Sequence, residues 1–537
     1  MCAVLAISLV PEKHLMDYEE TLANLNQRKA KALSGGGEAK LARLKVKGKL
    51  STRERIDRLV DPGSFSEIGL LAHSDMPADA DDTPGDSKVV GFGKLNGRKL
   101  GVVASDFTVK AGTSSRVAGR KDHTIAQTCS QNGYPYVYLG EGGGARMPDI
   151  MGSVGLATFG GNYADDDFFV RALTRYRDNP MVVAILGDAF GEPTWQACLA
   201  DFVVMTKGAC MAVSGPRVLE VATGEKLDPE ELGGWKIHSG VTGMVDAVAE
   251  NDSEAIVIIK KFLAYLPSHS NEKAPRQPIP ADSGATMGHI LDDMPEKNNK
   301  AYNILPLLER IVDKDSLFEI KPRFGKSLVT ALARLNGESV GIIANQPRHL
   351  GGAMDTDAMD KAVSFLCLCD SFNLPIIFFH DMPGFLVGLE PERKRAAAKI
   401  MTFLEALGQV TVPKIALIIR KSYGMAFYNM GGTGTGSAFI AAWPTAEIGF
   451  VSEKVGVNVV YGPQIKAAEN PAAERARLET TMQRGNSPYN IAGQYLIHDV
   501  IAPAETREYL INCLEIAFNN RTGGIGKHNL RNWPKKY

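Results

Sequence analysis

The sequence predicts an α/β protein made of two homologous domains that arose by internal duplication. Three observations carry that expectation. Sequence blocks recur in the same order about 240 positions later, apolar runs of strand length stand between turn signals, and helical stretches alternate with those runs. Residues 57–68 (DRLVDPGSFSEI) match residues 309–320 (ERIVDKDSLFEI). GKLNGRKLGVVASDFT (93–108) matches ARLNGESVGIIANQPR (333–348), which places Asn96 and Asn336 at an offset of 240. Residues 132–139 and 372–379 repeat that offset, and residues 179–186 match 412–419 at 233. A repeat of ~20–50 residues would mean a solenoid. This one has the size of a domain.

Each element follows in order. Residues 17–49 carry spaced leucines among lysines and arginines and read as an amphipathic helix outside the core. An Asn-Gly pair in each half marks a hairpin between two short strands. Helical stretches are expected over 120–132 and 354–373. The continuous runs 136–139, 182–186, 376–379 and 415–419 read as strands buried on both faces. Residues 268–285, rich in Pro, Ser and charge, read as the linker. The tail from about 467 to 514 is helical in pattern. The expected domains are 17–275 and 286–537, and Met16 is a candidate true start.

Composition narrows the function. At 537 residues, with 44% hydrophobic and 23% charged residues, the chain is ordinary globular protein. Its net charge of −1 builds no basic field for nucleic acid. The seven cysteines are scattered, and Cys367 and Cys369 sit in an apolar run, so they read as core residues. No metal cluster is visible, and Asp165–Asp167 reads as a solvated face or helix start. No run reaches the ~20 apolar residues of a membrane span. Residues 2–10 lack a preceding basic segment, so the chain reads as cytoplasmic.

The chemistry is expected at glycine turns. Residues 140–146 (GEGGGAR) and 381–385 (DMPGF) follow two of the buried strands. Residues 187–192 (GDAFGE) and 421–426 (KSYGMA) close the next two, with Gly191 and Gly424 equivalent at the 233 offset. A glycine there can leave backbone N–H groups pointing at one spot, a means of holding an oxyanion. A single such turn can equally serve only to reverse the chain. Equivalent turns in both halves suggest two ligands. Gly325-Lys326-Ser327 lacks the rest of a P-loop, and no GxSxG or HExxH occurs. The histidines, His123, His238 and His380 among them, read as core or surface.

Residues 106–109 with Gly142–Arg146 resemble a signature of the carboxyltransferase β subunits of biotin-dependent acyl-CoA carboxylases, of the propionyl-CoA or acetyl-CoA type. Asp381–Phe385, Val412–Lys414, Arg420–Gly424, Trp443–Ile448 (WPTAEI), residues 35–65 and Asp499–Arg507 extend the resemblance over nearly the whole chain. It implies two crotonase-like domains, each a spiral of ββα turns, in a ring-shaped hexamer. It implies an enzyme that moves CO2 from carboxybiotin to the α-carbon of an acyl-CoA through an enolate, with the first domain on the acyl-CoA side and the second on the biotin side. The implied oxyanion donors are the N–H groups of Gly191 and Glu192, and of Met425 and Ala426. Gly143, Gly144, Ala145 and Arg146 are carried over to the acyl-CoA side, and Gly384, Phe385 and Gly424 to the biotin side. Lys121 falls where the family has a lysine near the CoA phosphates, a surface lysine being the other reading. Tyr428 stands where acyl-chain choice is often set.

The chain departs from the family at Gly191-Glu192 and Gly424-Met425, where paired glycines are common, and at Pro193, which has no N–H. Lys399–Thr402 and Gly431–Gly436 also depart from its pattern. No Met precedes a Lys, so biotin and ATP would come from a biotin carboxylase or carrier subunit. No metal is implied. Two other readings are a subunit of an acyl-CoA decarboxylase or other crotonase-fold lyase, and an inactive scaffold.

Overall fold

The structure is a computed structural model describing residues 18–161, 174–298 and 300–533. Met16 and Asp165–Asp167 therefore lie outside the described residues. The chain forms two eight-stranded sheets, one from each half. The first contains β1 (Ser66–Ile68), β2 (Lys88–Leu95), β3 (Arg98–Ser105), β4 (Tyr136–Gly142), β5 (Met181–Phe190), β6 (Phe202–Thr206), β7 (Cys210–Ala212) and β8 (Ala247–Ala249). The second contains β9 (Phe318–Ile320), β10 (Leu328–Leu335), β11 (Glu338–Asn345), β12 (Ile376–Met382), β13 (Lys414–Tyr423), β14 (Phe439–Ala442), β15 (Glu447–Gly449) and β16 (Asp499–Val500). The orders are β1-β2-β3-β4-β5-β6-β8 and its counterpart β9-β10-β11-β12-β13-β14-β16, with β7 on β5 and β15 on β13. The α/β class with two homologous crotonase-like domains is therefore realised strand for strand.

The repeated sequence blocks have a common physical cause. Asn96 and Asn336 adopt φ of 51° and 54°, and the glycines after them 78° and 80°, the left-handed pair a tight hairpin demands. Asp61 accepts from the Asn96 and Gly97 N–H groups, each at 2.9 Å. Asp313 does the same for Asn336 at 3.0 Å and Gly337 at 2.7 Å. The aspartate of the first block thus fixes the turn of the second.

The continuous apolar runs are buried along their length, and β4 and β12 are buried at every position. The register of both slips at the same place, between Gly140 and Gly142 and between His380 and Met382. Such a bulge re-aims the end of a strand. Here it turns the chain into the glycine turns. Cys367 and Cys369 are buried, as expected of core residues.

Three elements differ from expectation. The head is two helices, Tyr18–Leu33 and Glu38–Val46, because Gly35 and Gly37 take φ of 54° and 92°. Between them the Gly36 N–H donates to Thr108 Oγ1 at 2.9 Å, so the head is docked by its glycines while Leu22 and Leu33 stay exposed. The helix after β3 starts at Arg116 and not at 120, since Ser115 caps it through the Ala118 N–H. Its counterpart starts at Thr356, capped by Asp355. The tail alternates helices with β16, its long helices being Glu453–Ala467, Pro471–Gly485 and Thr506–Phe518. No helix among the described residues is long and apolar enough to cross a membrane.

Candidate active site

In each half two glycine turns meet where adjacent parallel strands end. In the first, a Cβ placed on Gly191 would lie 3.6 Å from the Gly144 Cα. In the second, a Cβ on Gly384 would lie 3.7 Å from the Tyr423 carbonyl, next to Gly424. Gly191 and Gly424 share φ 66°, a left-handed conformation that releases the following peptide from the strand. The neighbouring turns are held alike. The Ser114 N–H donates to the Gly144 carbonyl at 2.9 Å, and the Arg146 N–H to the Ser114 carbonyl at 2.8 Å. Met354, Gly384 and Leu386 reproduce that pattern at 3.1 and 2.9 Å.

The free donors are not placed identically. The Gly424 N–H donates to the Gly449 carbonyl at 3.0 Å, whereas Met425 and Ala426 have N–H groups without an acceptor among the described residues. In the first half the Gly191 and Glu192 N–H groups have no acceptor among the described residues, and Pro193, equivalent to Ala426, has no N–H. The donor pair is therefore displaced by one residue between the halves. Ala426 is buried, while Met425 is 44% and Tyr428 43% exposed. Tyr428 rests edge-on against Phe427 at 5.2 Å between centroids. Phe385, beside Gly384, packs partly buried against the core.

Beneath the first turn lies a polar cluster that sequence reading missed. Glu192 accepts from Lys88 Nζ at 2.6 Å, Ser114 Oγ at 2.6 Å and Tyr138 OH at 3.0 Å. Burial opposes charge on Lys88, but Glu192, Tyr138 and Asp122 more than compensate and hold it protonated. Burial would likewise raise Glu192, yet Lys88 and Ser114 keep its carboxyl below the usual range. Asp122, bonded to Tyr136 and 3.7 Å from Lys88, is pushed by burial up to about 6. Residues 88, 122, 138 and 192 have no local pattern that links them.

Two expected ligand contacts fall elsewhere. Lys121 is buried, so it is neither a surface lysine nor turned toward a phosphate: its Nζ donates to the Gly85 carbonyl at 2.7 Å and to that of Lys88. Lys361, its equivalent at the 240 offset, does the same to Phe324 at 3.1 Å and Leu328 at 2.7 Å. A lysine kept in both halves, with one carbonyl partner equivalent (Lys88 and Leu328) and the other displaced by one residue, braces the helix against β2 or β10. Burial pushes Lys121 down to about 8 and Lys361 to about 7. Arg146 also turns inward, pairing with Asp86 at 2.6 Å and donating to Ser87 Oγ at 3.0 Å. Gly143 and Ala145, by contrast, remain at the turn; the Gly143 N–H is taken by the Ala111 carbonyl at 2.9 Å.

Below the second turn His380 is wholly buried. Its Nε2 faces the Met430 carbonyl at 2.8 Å, which can only accept, so that nitrogen carries the proton and Nδ1 accepts from Ser422 at 3.0 Å. Burial pushes the imidazole down to about 4. The unfolded chain takes up a proton near pH 6.5, whereas the folded one resists until about 4. Stability should therefore be complete above pH ~6.5 and fall by about 3 kcal/mol as pH drops to 4. Urea titrations across that window should show the slope, and His380→Gln should flatten it.

Among the described residues no group of three His, Cys, Asp or Glu could hold a metal ion. A family model described as "Carboxyl transferase domain" matches residues 44–531. The methylmalonyl-CoA carboxyltransferase 12S subunit of Propionibacterium freudenreichii subsp. shermanii is 34% identical over 500 residues, 92% of this chain and 94% of that protein. The carboxyltransferase subunit of propionyl-CoA carboxylase from Haloferax mediterranei is 33% identical over 94% of this chain and 98% of its own length. A crystal structure of transcarboxylase 12S, a hexamer with methylmalonyl-coenzyme A bound, superposes with a TM-score of 0.88 at 33% identity, covering 95% of this chain and 98% of the other.

Proposed function

The chain belongs to the carboxyl transferase family, and on that premise we propose that its two pairs of free N–H groups are the two oxyanion sites of a biotin-dependent acyl-CoA carboxylase. It is the carboxyltransferase component, an enzyme subunit; the family and these relatives favour carboxylation over the decarboxylase reading. The observation that carries the two-site reading is the unsatisfied N–H pair at equivalent turns of both halves.

The acyl-CoA belongs at the first turn. When its α-carbon gives up a proton, charge gathers on the thioester oxygen. The Gly191 and Glu192 N–H groups donate to that oxygen without reorganising as charge develops. Gly143, Gly144 and Ala145 wall the space opposite Gly191. At the second turn Met425 and Ala426 would hold the ureido oxygen of biotin, with Gly384, Phe385 and Gly424 shaping the approach. Carboxybiotin, carried by a biotin carboxyl carrier or biotin carboxylase subunit, supplies the carboxyl group when bound. The fit is chemical: unpaired N–H donors at a turn suit a neutral carbonyl that becomes an anion, and no side-chain charge is required. The two donor pairs lie on different sheets, so the reading needs the first turn of one subunit to meet the second turn of another in an assembly, and transcarboxylase 12S is a hexamer.

The test is capture of the tagged chain from its cells, probed with labelled streptavidin, followed by acyl-CoA carboxylation with the captured partner and ATP. A biotinylated partner and carboxylation are expected; neither appearing would refute the reading. Tyr428, exposed beside the second turn, is expected to limit the acyl chain. Tyr428→Ala should change the ratio of kcat/KM between propionyl-CoA and a longer acyl-CoA by about 10-fold, the scale of a pocket methylene or two. An unchanged order of preference would remove Tyr428 from the pocket.

A further inference from the structure

The duplication supplies an internal control for the cluster beneath the first turn. At the 240 and 233 offsets the counterparts of Lys88, Ser114, Asp122, Tyr138 and Glu192 are Leu328, Met354, Ala362, Phe378 and Met425. Every one is apolar. The second half builds the same strands, the same bulge and a glycine turn of the same φ on them. The fold therefore does not need the polar set. A buried cation and carboxylates are costly to desolvate, and apolar residues of similar size would serve stability as well. Their presence on one side calls for a role on that side.

The geometry supplies it. Glu192 carries one of the two free N–H groups, and its own carboxylate reaches Ser114 Oγ at 2.6 Å. Ser114 in turn holds the Gly144 carbonyl through its N–H at 2.9 Å. One side chain thus ties the Gly191 turn to the Gly144 turn across the space the oxygen would occupy. Lys88 and Tyr138 grip the other carboxylate oxygen from the sheet, at 2.6 and 3.0 Å. Lys88 also cancels the negative charge that would otherwise repel an oxyanion at the adjoining N–H groups.

We infer that Glu192 is a positioning residue: with Ser114 and Lys88 it staples the two glycine turns of the first half at the spacing a thioester enolate oxygen requires, a duty that flexible paired glycines would leave unfilled. The inference rests on the assignment of the acyl-CoA to the first turn. No proton or bond changes hands at Glu192. It acts only through the direction of its own peptide and that of Gly144.

The test is calorimetric titration of the intact protein with an acyl-CoA and with a CoA analogue in which a nitronate replaces the enolate. Stoichiometry reports the folded fraction and Kd reports the turn. Glu192→Gln is expected to weaken the nitronate by about 10-fold or more while the acyl-CoA changes by less than about threefold, because only the anionic ligand reads the donors. Ser114→Ala, which removes one hydrogen bond and no charge, should move the nitronate Kd in the same direction by less. Equal weakening of both ligands would assign Glu192 a purely structural role, and no change in either would overturn the staple. A wild-type protein that binds neither compound would overturn the placement of the acyl-CoA and the staple with it.

Discussion

Met425→Pro is expected to lose ~10²–10³-fold in kcat, while Met425→Ala stays within about tenfold of the unmodified protein. The structure makes this comparison cleaner than the sequence allows. Met425 has φ −59° and ψ −25°, already the φ that a proline ring imposes. Proline therefore removes the N–H without forcing φ, and no other group in the fold loses a partner, since that N–H has no acceptor among the described residues. Alanine removes the same half-exposed side chain and keeps the donor. Steady-state carboxylation with the biotin-carrying partner, read beside size-exclusion mass, decides the matter. Equal losses in the two variants would place the chemistry in the Met425 side chain instead.

Arg420→Ala should be the most destabilising change near the site. Arg420 Nε donates to Asp381 at 2.9 Å, and both side chains are about 1% exposed. The guanidinium also donates to the Lys300 carbonyl at 3.1 Å and stacks on Tyr302 at 4.9 Å. Removing it leaves the Asp381 carboxylate buried, with the Lys421 N–H at 3.5 Å and the Lys421 ammonium at 3.7 Å. Breaking a buried pair from one side costs about 3–5 kcal/mol. Thermal unfolding should show a clear drop in Tm, and the double change Arg420→Met with Asp381→Leu should recover much of it, because no charge is then stranded. A double variant as unstable as Arg420→Ala would mean that the lost carbonyl contacts and stacking matter more than the charge. Because Asp381 opens the turn that carries Gly384, Arg420→Ala should also lower activity in the fraction that stays folded.

The duplication, the α/β class, the two Asn-Gly hairpins and the buried strands were legible in the sequence, since each depends on local rules. Period, turn chemistry and apolar run length act over a few residues, and a repeat at fixed offset needs no coordinates. The paired glycine turns were legible for a related reason: the repeat places them at equivalent strand ends, and Gly191 and Gly424 both take the left-handed φ that frees the next peptide, whereas the choice of donor peptides came from the family resemblance. Side-chain direction was not legible. Lys121 and Arg146 sit in motif positions that resemble ligand contacts, yet one turns to the Gly85 and Lys88 carbonyls and the other to Asp86. A charged side chain on a half-buried helix or turn can face either way, and only the packing around it decides. The one-residue shift of donors between the halves is already present in the residues that the resemblance implies, but its physical cause needed the fold: Gly449 lies within reach of the Gly424 N–H. So did the Lys88–Glu192 cluster, whose members are brought together from two strands and two helices by sheet pairing over a hundred residues of chain. The sequence by itself determined the duplicated scaffold and the peptides that end its strands, because those follow from local backbone chemistry. The tertiary structure alone decided which charges face the site and which brace it, because burial and partners are properties of segments meeting in space.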